Sequence, residues 1–239
     1  MHNNMIEFKT KSLTLNFSAF DINLTVVENL DELFDDLIKK GTTHPDFVDE
    51  RMPYWADLWA SAIGMSRYLI DNQRLVDGKA VLEIGCGLGL PAIVAGKLGA
   101  ASVMLTDYLA EAVAFAKLNW QQNLPSGNVQ FSTLDWRQDT PSRQNQDFSD
   151  AQQYQADILL ASDVAYERRA FEPLLGAFKT FIKPDGCILI AEPNRDVSKH
   201  FFQNLEAEGF AVRQTTLTVE RRGFPFRVNV FKLKRETAD

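Results

Sequence analysis

Residues 81–89 run Val81-Leu82-Glu83-Ile84-Gly85-Cys86-Gly87-Leu88-Gly89. The apolar run Ala80–Ile84 has the composition of a buried strand, and three alternating glycines follow it directly. Pro91–Leu98 then reads as a helix, with Gly99 just beyond its end. Glycines between a strand and a helix permit a tight turn and let a ligand approach the backbone. The helix start beyond them offers free N–H groups and a partial positive charge. The spacing is E-x-G-x-G-x-G. It is not G-x-G-x-x-G, because Leu90 stands where the last glycine would be, and no G-K-[ST] follows to make a P-loop. A carboxylate at Glu83 disfavours a nearby phosphate and suits a ligand carrying an ammonium or sulfonium group.

Outward from this turn, strand and helix patterns alternate. Ser102–Thr106 reads as a second strand, Leu109–Gln122 as a helix and Asn128–Ser132 as a third strand. Ala156–Ala161 is a fourth, Glu167–Ile182 a helix and Cys187–Ala191 a fifth. Such alternation predicts a parallel sheet with helices on both faces. Beyond residue 193 the alternation breaks. Val197–Glu208 looks helical, and Phe210–Val219 and Phe226–Lys234 look like strands joined by a turn over Glu220–Pro225, so the last two must be antiparallel. Upstream, Ser12–Phe17 and Ile22–Val27 suit a hairpin. Asn29 suits the cap of a helix through Lys39, with Leu30, Leu33, Phe34 and Leu37 on one face and Gly41 at its end. Thr42–Pro53 reads as a loop, and a second helix is expected from Asp57 to about Ile70. The fold class is therefore α/β: a Rossmann-like, mainly parallel sheet with a C-terminal antiparallel hairpin and a small N-terminal extension. Residues 1–50 are expected to form that extension, and 51–239 the main domain.

Composition narrows the classes. The chain has 239 residues, 45% of them hydrophobic and 24% charged. Such proportions exclude a disordered chain and leave ample material for one core. The net charge of −7 is a poor basis for non-specific nucleic-acid binding. Two cysteines, Cys86 and Cys187, make neither a disulfide framework nor a CxxC pair. No apolar run has the roughly 18–20 residues of a membrane span, and Met1–Lys11 is too polar for a signal peptide, so a cytoplasmic protein is expected. His2, His44 and His200 do not cluster, and no metal is expected. Arg221-Arg222 reads as a solvated turn, and nothing requires an oligomer.

Three further motifs fall at strand ends, where open parallel sheets bind ligands. Asp107, in Leu105-Thr106-Asp107, stands about 20 positions past the glycine turn, where an acid accepts both hydroxyls of a ribose. Leu134-Asp135-Trp136 follows the third strand. It suits an adenine, with Asp135 accepting from the amino group and Trp136 against the ring, and suits equally a core Trp beside a capping Asp. Ser162-Asp163-Val164-Ala165-Tyr166 ends the fourth strand. If the first and fourth strands flank the point where strand order reverses, Asp163 and Tyr166 face the reactive end of the ligand.

Together these motifs resemble class I, seven-stranded S-adenosylmethionine-dependent methyltransferases, in which the sheet ends in such a hairpin. Pro53-Tyr54-Trp55-Ala56, Leu58-Trp59, Arg67-Tyr68-Leu69, the glycine turn, Leu134-Asp135-Trp136 and Asp163-Val164-Ala165-Tyr166 resemble more narrowly methyltransferase family 16, which contains protein lysine methyltransferases. The likeness covers residues 50–195 well and the ends in outline. It implies that Gly85, Gly87 and Gly89 line the methionine part of S-adenosylmethionine, with Glu83 supporting the loop. Asp107 binds the ribose, Trp136 and Asp135 meet the adenine, Trp59 closes over the cofactor and Ser162 contacts it through backbone. Cys86, a small packing residue within the loop, and Tyr108 complete the cofactor set. Asp163 and Tyr166 form the D-x-x-Y motif near the transferred methyl. Glu192 and Asn194 fall on the acceptor side.

The resemblance implies methyl transfer to a nitrogen, a protein lysine in the first instance, leaving S-adenosylhomocysteine. No Asn-Pro-Pro-Tyr follows the fourth strand and no Pro-Cys nucleophile is present, which disfavours amide, exocyclic base-nitrogen and cytosine C5 methylation. A lysine amine, with an ordinary pKa of about 10.4, must lose its proton to attack. Asp163 suits the positioning of that amine, and Tyr54, Trp55 and Tyr166 suit a cationic acceptor through cation–π contact. A small-molecule amine is the alternative acceptor. A catalytically silent cofactor-binding interaction protein is the alternative of another class.

Overall fold

β3 (Ala80–Ile84) lies at the centre of a seven-stranded sheet. In the computed structural model, which describes residues 8–44, 47, 51–137 and 154–236, it pairs in parallel with β4 (Ser102–Asp107) on one side and β6 (Ala156–Ser162) on the other. The expected N-terminal segment up to residue 7, with His2, and residues 45, 46 and 48–50 of the expected loop lie outside the described residues. β4 continues outward in parallel to β5 (Val129–Thr133), and β6 to β7 (Ile182–Glu192). β9 (Phe224–Arg235) then lies antiparallel between β7 and β8 (Phe210–Arg221), giving the order β5-β4-β3-β6-β7-β9-β8. The chain works outward from β3 to β5 and returns to place β6 against β3. The C-terminal ends of β3 and β6 therefore flank the crevice where strand order reverses.

Side chains alternate across the sheet and each face has its own core. Val81, Leu105, Leu160 and Leu189 pack under α2 (Ala60–Asp71), α3 (Leu90–Lys97) and α4 (Ala110–Asn123). Leu82, Ile84, Leu159 and Ile190 pack under α5 (Phe171–Phe181) and α6 (Asp196–Asn204). Burial on both faces explains why the strands read as unbroken apolar runs. No helix among the described residues is long and apolar enough to cross a membrane.

The N-terminal hairpin, β1 (Thr10–Asn16) and β2 (Asp21–Val27), forms its own small sheet. Its outer edge meets side-chain amides instead of a strand. Asn119 and Asn123, one turn apart on α4, accept the N–H groups of Thr25 (2.7 Å) and Asn23 (2.9 Å). Ile22 and Leu24 are wholly buried in the main core beneath it. α1 (Leu30–Lys39) follows and buries Leu33 and Leu37. Asn29 precedes it without capping it. Its Oδ1 accepts the Lys9 N–H at 2.9 Å instead, tying the helix to the hairpin.

Several boundaries differ from expectation: β7 starts at Ile182, five residues before the expected Cys187, and α6 ends at Asn204, short of the expected Glu208. α2 begins at Ala60, because Asp57 and Trp59 are extended and a 3-10 turn occupies Pro53–Ala56. α5 begins at Phe171, after a 3-10 turn over Arg168–Ala170. The final turn is only Arg222-Gly223, both at positive φ (54° and 79°). A two-residue hairpin between twisted strands requires that conformation. Pro225 is already inside β9, opposite Glu220.

α2 crosses β9 closely. A Cβ on Gly64 would lie 2.6 Å from Val228 Cγ1 and 2.9 Å from its Cβ. Gly64→Ala gains up to about 1 kcal/mol of helix propensity. Overpacking a core costs about 1–3 kcal/mol, and the branched Val228 side chain has little room to yield. The expected net loss is about 1–2 kcal/mol, read as a lower denaturant midpoint with an unchanged slope.

Candidate active site

Each residue of the turn after β3 has a constraint. Gly85, Gly87 and Gly89 lie at φ 62°, 50° and 79°. The Cys86 N–H donates to Thr106 O (2.9 Å) and the Gly89 N–H to Cys86 O (2.8 Å), closing the turn. All three glycines are also demanded by space, a Cβ on Gly85 lying 2.9 Å from Val164 Cγ1. A Cβ on Gly87 would lie 3.3 Å from the backbone oxygen of Trp55, and one on Gly89 would lie 2.9 Å from Leu105 Cδ2.

Two buried carboxyl groups hold this turn. Glu83 Oε2 accepts the Ala92 N–H (3.1 Å) in the first turn of α3. Burial pushes the Glu83 carboxyl well above its usual range, with the Ala92 N–H pulling it down and Asp107 pushing it further up. Glu83 therefore serves the loop through a hydrogen bond more than through charge. Asp107, at the end of β4, accepts the Gly87 N–H on Oδ2 (3.0 Å) and the Leu109 N–H on Oδ1 (3.2 Å). Burial raises it to about 6 against the pull of these N–H groups. Burial likewise drives the Cys86 thiol up, leaving it an unreactive packing group.

Below the turn opens a cavity of about 430 Å³. Its walls include Glu83, Gly85, Cys86, Gly87, Gly89, Asp107, Tyr108, Trp136, Ser162, Asp163 and Tyr166, along with Tyr54, Trp55 and Trp59 from the segment before α2. With Arg195 after β7, residues from five strand ends and the N-terminal segment thus converge on one space. Ser162 Oγ is buried there without a hydrogen-bond partner among the described residues. An orphaned hydroxyl beside a glycine cradle that a Cβ would fill, with an acid at the next strand end, fits a nucleoside bearing an amino-acid-like tail. S-adenosylmethionine is such a molecule.

The rim is aromatic. Tyr54 and Tyr166, 39% and 37% exposed, stand edge to face with centroids 6.0 Å apart. The Trp59 Nε1–H donates to Tyr54 O (2.7 Å), and the two rings lie 6.1 Å apart. Trp55 is more deeply placed, with its ring against Phe8 and Phe115 and its backbone on Gly87. It lines the cavity at the glycine turn and not at the rim.

Asp163 has positive φ (60°), and its N–H donates to Ala191 O (2.8 Å), aiming the side chain along the sheet edge. Its carboxylate is 8% exposed, pairs with the Arg195 guanidinium, and accepts from Ser61 Oγ (3.3 Å).

Several sequence expectations are corrected. Asp135 does not line the cavity. Its carboxylate forms a two-point pair with Arg137 (2.8 and 2.9 Å), whose guanidinium lies 4.7 Å over the Tyr108 ring. Glu192 and Asn194 do not line it either. Glu192, 3% exposed, accepts the Arg195 N–H (3.0 Å) and the Ser198 hydroxyl (2.7 Å), while Asn229 donates to both Glu192 (3.3 Å) and Asn194 (3.2 Å). These residues fix the turn after β7 and so present Arg195, which lines the cavity. Nor is Arg221 solvated. It pairs with Asp57, donates from Nε to Leu58 O and lies 5.4 Å over the Trp59 ring, while Arg222 holds the other Asp57 oxygen (2.9 Å). The hairpin tip therefore clasps the segment that covers the cavity.

A family model described as lysine methyltransferase matches residues 52–208. The electron transfer flavoprotein beta subunit lysine methyltransferase of Danio rerio is 35% identical over 91 residues, 38% of this chain and 35% of that one. Its homolog in Caenorhabditis elegans is 30% identical over 154 residues, 63% of each chain. The chain thus spans less than two thirds of the length of these relatives. Magnesium protoporphyrin IX methyltransferase from Synechocystis with bound SAM superposes with a TM-score of 0.54 over 84% of this chain and 90% of that one, at 20% identity. At that identity the likeness is one of fold.

Proposed function

The chain belongs to the lysine methyltransferase family, and we propose that it transfers a methyl group from S-adenosylmethionine to a lysine side chain of a protein substrate. The observation that carries this reading is the single cavity in which the glycine cradle and Asp107 meet Asp163, Tyr166 and Tyr54. One end suits the nucleoside and the other a cationic side chain entering past aromatic rings. S-adenosylmethionine supplies a methyl group that its sulfonium has already activated.

The protein then contributes position and charge. Gly85, Gly87 and the start of α3 bind the amino-acid tail, Asp107 the ribose and Trp136 the adenine. The Ser162 hydroxyl gains the partner it lacks. Trp59 covers the site, held by Tyr54 O and Arg221. Tyr54 and Tyr166 hold the acceptor alkylammonium at the rim, and Asp163 orients the nitrogen as it sheds its proton to water.

The clasp is testable separately. Arg221→Ala leaves Asp57 with Arg222 and the Leu58 N–H and frees the Trp59 face. S-adenosylhomocysteine affinity, measured by calorimetry, is expected to fall about fivefold to tenfold, in line with losing one partly buried charge-assisted contact of about 1–1.5 kcal/mol. Arg221→Lys does not restore it, because a point charge cannot bond Leu58 O, pair with Asp57 and stack at once.

The activity test incubates the purified protein with radiolabelled S-adenosylmethionine and a lysate of its own cells. Label on a discrete protein band, absent with Asp163→Asn and mapped to lysine by mass spectrometry, is the expected result. Label confined to small molecules overturns the protein-substrate reading.

A further inference from the structure

Arg195 is the one cation among the described residues lining the cavity, where Glu83, Asp107, Asp57 and Asp163 supply carboxyl groups. It comes from the end of β7, beside the end of β6 that carries Asp163. Glu192, Ser198 and Asn229 brace the turn that presents it. Such a braced guanidinium on the D-x-x-Y aspartate needs a reason, since the aspartate alone would bind an incoming ammonium more strongly. Stronger binding of the ammonium is the difficulty. The attacking nitrogen must be neutral, and a bare carboxylate within about 4–6 Å raises the pKa of an amine by about 1–3 units.

We propose that Arg195 is a positioning residue that acts through Asp163, cancelling its charge so that the acceptor nitrogen is oriented by the carboxylate without being held there as an ammonium ion. The inference rests on the amine-methylating reading above. The charged and ionisable groups around Arg195 are consistent with it. Asp163 meets it from β6 and Tyr54 faces it from the segment before α2. Glu192 lies behind it on β7, already saturated by the Arg195 N–H, Ser198 and Asn229. On α6, Asp196 is paired with Lys199 (2.6 Å). Asp57 belongs to Arg221 and Arg222, and Asp107 and Glu83 to the glycine turn. Tyr166 completes the rim. Burial lowers the Arg195 pKa, yet a guanidinium stays charged across the working range.

The test compares wild type, Arg195→Met and Arg195→Lys. It uses as acceptor the protein identified from the labelled band, prepared unmethylated, with saturating S-adenosylmethionine and initial rates from about pH 6.5 to about pH 10. In Arg195→Met the acidic limb of the profile is expected to move up by about one unit. Turnover near neutral pH then falls about tenfold, converges with wild type at the alkaline end, and is accompanied by an unchanged or lower KM for the acceptor. Arg195→Lys retains the wild-type profile. Arg195→Gln, which keeps a hydrogen bond to Asp163 without the charge, must shift as the Met variant does and serves if the latter does not fold. S-adenosylhomocysteine binding verifies that each variant has formed its cavity. A loss equal at every pH, or no shift, overturns the role assigned to Arg195 while the methyltransferase reading stands. Wild-type protein that labels nothing at any pH overturns both.

Discussion

Asp107→Ala is expected to weaken binding of S-adenosylhomocysteine by at least about a hundredfold, with activity lost in parallel. The carboxylate does two things at once. It accepts the N–H groups of Gly87 and Leu109, and so holds the glycine turn. Under the proposed function its remaining acceptor positions take the ribose hydroxyls. Alanine leaves two buried donors unsatisfied, at about 1–3 kcal/mol each, and removes charge-assisted bonds to the hydroxyls. The unsatisfied donors burden free and bound protein alike, but two lost bonds to the carboxylate, at about 1.5 kcal/mol or more each, already exceed the about 2.7 kcal/mol of a hundredfold change. The same carboxyl sets a pH dependence. Its folded value of about 6 lies above the ordinary 3.8. The folded apo-protein therefore takes up this proton more readily than the unfolded chain, and this group's contribution to stability improves as pH falls from about 6 to about 4. Binding runs the other way. The ligand needs the carboxylate, so affinity is expected to fall about tenfold per unit below about pH 6. Calorimetry across about pH 5 to 8 checks this, and Asp107→Asn must abolish the slope while binding weakly throughout.

The second large effect is expected at the other end of the cavity. Asp163→Asn should lower turnover by about a hundredfold or more while leaving S-adenosylhomocysteine affinity within about threefold. Asparagine is the informative substitution. Asp163 has positive φ and donates its N–H to Ala191 O. Asn tolerates that conformation and Ala does not, so the backbone and its bond survive. Only the charge and its acceptor capacity change. Single-turnover rates measured beside binding distinguish the outcomes. Loss of binding with loss of rate would mean that Asp163 holds the cavity together instead of orienting the acceptor.

The sheet is legible in the sequence because its signals are local. An apolar run ending in Gly85, Gly87 and Gly89 needs only its own neighbours to announce a strand, a turn and a helix. The order of Asp107, Trp136 and Asp163 along successive strand ends tells which edge of the sheet binds. Asp57 and Arg221 carry no such signal, since 164 residues separate two halves of one ion pair. Arg221 on a turn looks solvated until the hairpin is laid over Trp59. Arg195 is within reach of a sequence argument. Adjacent parallel strands bring their C-terminal ends together, and a cation just past β7 must fall near an acid just past β6. Glu192 and Asn194 share that edge but point into the turn, a distinction set by backbone path alone. Asp135 misleads for a similar reason, because Arg137, two residues on, claims it first.

The position of β9 has a consequence for how the molecule is made. It is the last strand of the sheet to be synthesised, yet it lies between β7 and β8. While the ribosome is still adding residues 224–235, β8 has nothing to pair with and β7 is an open edge. That edge exposes Ile188-Leu189-Ile190-Ala191, which is buried in the finished sheet. Asp57 is made long before the arginine that clasps it. Because translation adds only a handful of amino acids each second, that wait lasts on the order of ten seconds or more. The nascent chain thus carries its glycine cradle well before it can close a cover over it. The apolar edge of β7 stays open until the last strand of the sheet emerges, so the growing polypeptide carries an unpaired strand edge up to its final residues.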